Sequence, residues 1–167
     1  MDRGKIKGWL RRRGVDLLFL VAIVVGLNLW QTRGLLPGDL KKPAPSFSLK
    51  GIDGKIYDLS AAKGRKTILY FFAPWCDACK AATSNIVDLG EETRVYAVAL
   101  SWEDEGSVVN FAKEHRLENI PVLLGTNEVM EGYQISSFPT FYFLDEKGSI
   151  KTGTVGYTSR IGIKLRN

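Results

Sequence analysis

The sequence predicts an α/β domain: a mixed β-sheet flanked by helices, parallel at its centre and antiparallel at one end, behind a cationic and apolar N-terminal segment. Three observations carry this expectation. Two continuous apolar runs, Thr67–Phe72 (TILYFF) and residues 94–100 (RVYAVAL), have strand length and read as strands covered on both faces. A helical pattern follows each run, so the order is strand, helix, strand, helix. Thr140–Leu144 and residues 149–155 then bracket Asp145 to Gly148 as a hairpin.

The chain has 167 residues, enough for one domain with a full core. Its net charge of +5 invites a nucleic-acid reading, but the charge is localised. Residues 1–33 hold seven Lys/Arg against two Asp/Glu, and the remaining residues hold sixteen of each. A domain without net charge or a basic cluster is a poor binder of phosphates.

Taken in order, the N-terminus comes first. Arg3, Lys5, Lys7, Arg11, Arg12 and Arg13 precede an apolar segment that runs from Val15 to Trp30, interrupted by Asp16 and Asn28. A comfortable membrane span needs about 20 residues, so this one is slightly short. Trp9 and Trp30 are placed for the two interfaces, and the cations put the N-terminus in the cytoplasm. A cleaved signal peptide lacks a small-residue site here, because VVGLNLWQT is bulky. A buried helix is disfavoured because the segment is apolar all round. The three arginines hint at twin-arginine export, but the rest of that signal is missing. The expectation is an uncleaved signal anchor, with everything after it outside the cytosol.

Residues 33–46 (RGLLPGDLKKPAPS, from Gly34 preceded by Arg33) read as an extended linker, rich in Pro and Gly. Residues 47–49 and 55–59 read as short strands around the turn at Ile52, Asp53 and Gly54. After TILYFF, Pro74 stops the strand and a helix begins near Cys76. Ala82, Ile86 and Leu89 give it an apolar face, and Gly90 is its expected stop. A helix over 105–116 buries Val108, Phe111 and Ala112. Residues 120–124 are strand-like, Asn127 caps a short helix through Tyr133, and Ser159 caps a brief terminal one.

The only two cysteines, Cys76 and Cys79, stand in FFAPWCDACK at the end of the first buried run. Outside the cytosol two cysteines usually form a structural disulfide. A loop this small restricts the unfolded chain less than a long one, which argues against that use. With Cys76 in the first turn of a helix and Cys79 one turn on, both lie on one face. The free N–H groups of the helix start then stabilise a Cys76 thiolate. One sulfur attacks a partner and the other resolves the mixed disulfide. A structural zinc site needs four ligands, which one C-x-x-C and the lone His115 do not supply. A copper site built from Cys76, Cys79 and His115 is the competing reading from another class, that of a metallochaperone. A thiol peroxidase is a lesser alternative, because Ala73 stands where a Thr-x-x-Cys pattern requires threonine.

At residues 73–80 (APWCDACK) the sequence resembles the thioredoxin superfamily. A second marker is Ser137-Phe138-Pro139-Thr140, where the family carries a cis-proline facing the cysteines; Pro139 matches it. The extra chain between Cys79 and Pro139, and the opening PAPSFSL with Asp53-Gly54-Lys55, resemble the membrane-anchored TlpA/ResA/DsbE branch. The small thioredoxin-like proteins of the copper-sensitivity-suppressor group have a similar plan.

The resemblance implies a thioredoxin-like fold over residues 47–167, behind a cytoplasmic tail (1–14), a transmembrane anchor (15–32) and a linker (33–46). It implies a protein disulfide oxidoreductase on the periplasmic face of a bacterial inner membrane. Cys76 and Cys79 would be catalytic, and Pro74, Trp75, Phe138 and Pro139 would form the substrate groove. No metal or organic cofactor is implied beyond the Cys76–Cys79 disulfide. The partners would be substrate proteins and a membrane thiol reductase of the DsbD/CcdA type.

There are departures. Ala82 replaces a glutamate common in the branch, and Tyr70 replaces the buried aspartate of thioredoxin, so neither carboxylate can take the resolving thiol's proton. Asp77, beside Cys76, opposes a second negative charge and tunes the thiol pKa upward. That makes the couple reducing, nearer the roughly −270 mV of thioredoxin than the roughly −120 mV of DsbA.

Overall fold

Every residue of Thr67–Phe72 is buried, as a strand covered on both faces requires. In the computed structural model, which describes residues 15–27, 34–36, 38, 43–87, 89 and 93–167, this run lies at the centre of a five-stranded sheet. In chain order the strands are β1 (Ser48–Lys50), β2 (Ile56–Asp58), β3 (Thr67–Phe72), β4 (Arg94–Ala99), β5 (Val122–Leu124), β6 (Thr140–Leu144) and β7 (Ile150–Val155). The helices are α1 (residues 15–27), α2 (Asp77–Thr83), α3 (Glu105–Glu114), α4 (Asn127–Gly132) and α5 (Arg160–Arg166), with a short 3-10 turn at Leu59–Ala62.

The large sheet has the order β5-β4-β3-β6-β7. β3 pairs in parallel with β4, and β4 with β5, while β3–β6 and β6–β7 are antiparallel. This is the parallel centre and antiparallel end expected. β1 and β2 form a separate ribbon, joined to β5 by the bridge between Gly51 and Leu123.

Side chains alternate along a strand, so β3 feeds two cores. Ile68, Tyr70 and Phe72 pack on one face with Cys79, Ala82, Val108, Phe111 and Ile163. Leu69 and Phe71 pack on the other with Phe47, Leu49, Leu59, Val129 and Tyr133. Burying one such side chain stabilises the fold by about 1.5–3 kcal/mol. Ile163 is the buried residue of α5, and hydrogen bonds from Lys66 and Lys151 to the Asn167 carbonyl tie down the end of that helix.

Two expectations about the helices change. α2 ends at Thr83 rather than near Leu89, and residues 84–87 follow as turns. Thr83 Oγ1 donates to the Cys79 carbonyl and Ser84 Oγ to that of Ala81, and such side chains compete with the helical ladder. The cap of α4 is Thr126, whose hydroxyl accepts from Val129 N, rather than Asn127.

The described part of the stretch read as a linker lies on the domain. Leu35 and Leu36 pack against the second core, Leu36 N donates to Tyr142 Oη (2.9 Å), and Ala44 N donates to Gly148 O (2.9 Å). Two adjacent leucines supply the apolar contact that a free linker would lack. The chain divides into two units, Met1–Arg33 and Gly34–Asn167.

The expected span over 15–32 is described only for 15–27, and its cationic flank lies outside the described residues. α1 is exposed along its length, and among the described residues no helix is long and apolar enough to cross a membrane.

Candidate redox site

β3 delivers the chain to Ala73 and Pro74, and the strand cannot continue because proline has no N–H to give the ladder. Cys76 N then donates to Ala73 O (3.1 Å), closing the turn that starts α2. Cys76 is the N-cap, in extended conformation (φ −85°, ψ 111°), and its Sγ accepts from Cys79 N at 3.2 Å. The N–H of Cys79, shared with Cys76 O (3.0 Å), thus points from the helix start at the sulfur. Cys76 and Cys79 are joined in a disulfide with Cα atoms 5.2 Å apart. Cys76 is 7% exposed and Cys79 0%, so the first cysteine is the one that reaches the surface.

Of the other expected groove residues, Trp75 and Phe138 meet each other directly. Trp75 is 62% exposed, and its Nε1 donates to Ser101 O (2.8 Å). Its ring meets Phe138 edge-on, with centroids 5.9 Å apart and planes at 86°. The Phe138–Pro139 bond is cis, as the resemblance implies. Thr140 pairs with Phe71, so Pro139 stands level with the end of β3 where the cysteine turn begins. Pro74 lines the pocket beside Trp75.

Asp77 does not stand as an unpaired charge. Lys80 Nζ reaches its carboxylate at 2.8 Å, one turn along the helix. That hydrogen bond, and then the Lys80 charge, hold the Asp77 carboxyl below its ordinary range. The Lys80 charge acts against the repulsion that Asp77 would exert on a Cys76 thiolate, a partner that the sequence reading of Asp77 did not include.

Tyr70 occupies the position of the missing aspartate. Its hydroxyl lies under α2, 3.0 Å from Cys79 O and 2.9 Å from Thr83 Oγ1, and Thr83 Oγ1 also donates to Cys79 O (2.8 Å). Burial drives the Tyr70 pKa upward, far above the ordinary phenol value. The group therefore stays neutral near neutral pH and donates a hydrogen bond to Cys79 O. Its ring is held between Phe72 and Phe141, at centroid distances of 5.5 and 4.9 Å.

His115 is not brought to the cysteines in a metal-holding group. It follows α3 as its C-cap, against the Phe111 ring (4.5 Å), and no cluster of three or more His, Cys, Asp or Glu suited to a metal occurs among the described residues. The sequence reading missed Ser101, whose carbonyl fixes Trp75, and Trp102, whose Nε1 donates to Gly125 O (3.1 Å). The one available signal was the Trp that directly follows the buried run RVYAVALS.

A C-x-x-C disulfide capping a helix beside a proline at the mouth of an antiparallel strand defines a thioredoxin-like protein disulfide oxidoreductase. Comparison with known proteins agrees. A model of the AhpC/TSA family matches residues 40–152. The chain is 34% identical over 159 residues to the thioredoxin-like protein YneN of Bacillus subtilis, covering 90% of this chain and 91% of that one. It is 32% identical over 150 residues to the sporulation thiol-disulfide oxidoreductase A of the same organism, covering 84% and 89%. Among solved structures it is similar to the exposed lipoprotein thioredoxin Etrx1 of Streptococcus pneumoniae, with a TM-score of 0.64 and 32% identity, covering 72% of this chain and 96% of that one. The chain belongs to the AhpC/TSA family, within its TlpA/ResA/DsbE-like thioredoxin-like branch.

Proposed function

We propose that this protein works outside the cytoplasm, anchored to the inner membrane, and reduces or isomerises disulfides in partner proteins. One observation carries the assignment of roles: Cys76 caps α2 with its sulfur on a backbone N–H, while Cys79 is fully buried behind it. Cys76 is the nucleophile and Cys79 the resolving thiol. The Cys76 thiolate attacks one sulfur of a partner disulfide, that S–S bond breaks, and a mixed disulfide forms as one partner thiolate leaves. Cys79 then attacks Cys76 Sγ, the second partner thiolate leaves, and the Cys76–Cys79 bond forms. The proton from Cys79 goes to a departing thiolate, since Tyr70 is a donor. Two electrons pass to the partner, and the disulfide seen here is the oxidised end state.

Pro74, Trp75, Phe138 and Pro139 form the groove that holds the partner chain. The cysteine pair carries both electrons, so this scheme includes no metal or organic cofactor. A membrane thiol reductase of the DsbD/CcdA type returns the electrons. The reducing direction is supported by the absence of any cation between the cysteines, where Asp77 and Ala78 stand. A measured reduction potential near −270 mV supports it, and one near −120 mV overturns it.

Location is supported by the exposed apolar length of α1 and by the cationic block that precedes it in the sequence. The Streptococcus pneumoniae relative is described as an exposed lipoprotein. Full-length protein should stay with membranes after a carbonate wash; a mature chain beginning after Trp30 would show a cleaved signal instead.

The roles are tested by trapping. Cys79→Ser should accumulate mixed disulfides with partner proteins, resolved on non-reducing gels and identified by mass spectrometry. Cys76→Ser should accumulate none. The opposite pattern reverses the assignment.

A further inference from the structure

On the α3 side of Trp75, continuing from the groove residues Pro74 and Trp75 that line it, lies a pocket of about 300 Å³. Two indoles form its apolar walls, Trp75 and Trp102. Both are held at their N–H groups, Trp75 by Ser101 O (2.8 Å) and Trp102 by Gly125 O (3.1 Å). Ser101 has φ +53°, the left-handed region that serine rarely adopts, and this turn is where its carbonyl meets Trp75. The walls are therefore fixed before any partner arrives, and fixed walls lose little entropy on binding.

The rim is acidic. Glu103 leads into α3, and Glu114 stands on the α3 face that also carries Ser107 and Asn110. The neighbouring acids are engaged: Asp104 caps α3 at Ser107 N (2.9 Å), Glu105 meets Lys50 (3.3 Å), and Asp77 holds Lys80 (2.8 Å). Lys80, the cation that lines the pocket, is thus committed to Asp77, with Glu114 a weaker electrostatic neighbour. Among the described residues neither Glu103 nor Glu114 has a cation within 4 Å. Aromatic faces with carboxylates at the mouth suit a long side chain that is apolar along its stem and cationic at its tip.

We propose that this pocket is a specificity subsite for the disulfide exchange: it receives a lysine or arginine side chain of the partner polypeptide, a few residues from the cystine that Cys76 attacks. Pro74 and Trp75, the two residues that precede Cys76 in the chain, both line the pocket, so it adjoins the turn that carries the reacting sulfur. An extended partner advances about 3.3 Å per residue, which sets the separation at a few residues. The inference rests on the exchange reading above and adds the kind of partner that the site prefers.

The test uses the reduced full chain in a non-ionic detergent and synthetic peptides bearing one internal disulfide. The peptides differ only in a flanking residue, which is Lys, Gln or Glu. The Lys peptide should be reduced about tenfold faster than the Glu peptide at low salt, with the ratio falling as salt rises. Joint replacement Glu103→Gln and Glu114→Gln should bring the ratio to within about twofold. Joint replacement Glu103→Lys and Glu114→Lys should invert it, which loss of fold alone would not do. Equal rates for all peptides with wild-type protein, or an unchanged ratio in the charge-reversed variant, would overturn the subsite while leaving exchange intact. Failure to reduce any peptide, or the small uncharged hydroxyethyl disulfide, would remove the exchange reading and the subsite with it.

Discussion

The two faces of the sheet each bury tyrosine hydroxyls, and they use them differently. On the active-site face Tyr70 donates to Cys79 O, sharing that carbonyl with Thr83. On the opposite face Tyr142 accepts from Leu36 N and donates to Tyr133 O (2.8 Å), while Tyr133 donates to Pro45 O (2.6 Å). The first hydroxyl fastens the helix that carries the redox pair. The second pair fastens residues 36 and 45 onto the domain. A hydroxyl in an apolar core costs stability unless it is satisfied, and each of these is satisfied by backbone that the fold needs to hold still. The difference lies in redundancy: Cys79 O has two donors, whereas the Tyr142 hydroxyl serves two backbone groups by itself.

That contrast orders the expected effects. Tyr142→Phe should be the most damaging, since it leaves Leu36 N–H and Tyr133 C=O without that partner; we expect a loss of about 2–3 kcal/mol by denaturant titration. Peptide disulfide reduction should change little, because the site lies on the other face. A slowed reaction would show that the two faces are coupled. Space gives no relief here, as Gly153 lies against the Tyr142 ring, where an added Cβ would come within 2.9 Å.

Tyr70→Phe should cost less, about 1 kcal/mol, because Thr83 still donates to Cys79 O. The same variant sharpens a pH prediction. Burial raises the pKa of Tyr70, Tyr133 and Tyr142 in the folded protein above the ordinary phenol value. A raised folded pKa gives stability that is complete below the unfolded pKa and is lost as pH rises toward the folded one. The melting temperature should therefore hold to about pH 10 and fall above it. Tyr70→Phe should make that fall shallower; an identical slope would mean that Tyr70 does not titrate in the unfolding window.

The smallest effect belongs to the surface. Lys80→Gln frees the Asp77 carboxylate beside Cys76. A thiolate at Cys76 then becomes less favourable and the couple more reducing, by an amount on the order of ten millivolts against a glutathione or dithiothreitol buffer. A shift toward the oxidising side would mean that Asp77 does not act on Cys76.

Much of this molecule was legible from local pattern. TILYFF and RVYAVAL became β3 and β4 because a run of apolar residues bounded by breakers has one economical place, between two layers. The hairpin of β6 and β7 followed from its turn residues. The position of Cys76 at a helix start followed from Pro74 and the helical spacing after it. These signals lie within a few residues of each other, where backbone sterics and periodicity act.

What the sequence left open depends on residues far apart in the chain. The end of α2 at Thr83 came from side-chain hydrogen bonds that a pattern of apolar positions does not register. The packing of Leu35 and Leu36 on the domain required Tyr142, 106 residues beyond Leu36. Asp77 was read as a lone charge because helix geometry alone did not decide whether Lys80 would turn toward it or toward solvent. The Trp75–Trp102 pocket exists only when β4 returns its loop beside the cysteine turn and Ser101 turns its carbonyl to the indole. The sequence by itself determined the strands, the redox pair and its place at a helix start, because propensity, periodicity and proline act locally. Only the tertiary structure decided which hydroxyls, charges and indoles meet, because those contacts depend on the register and packing of elements separated along the chain.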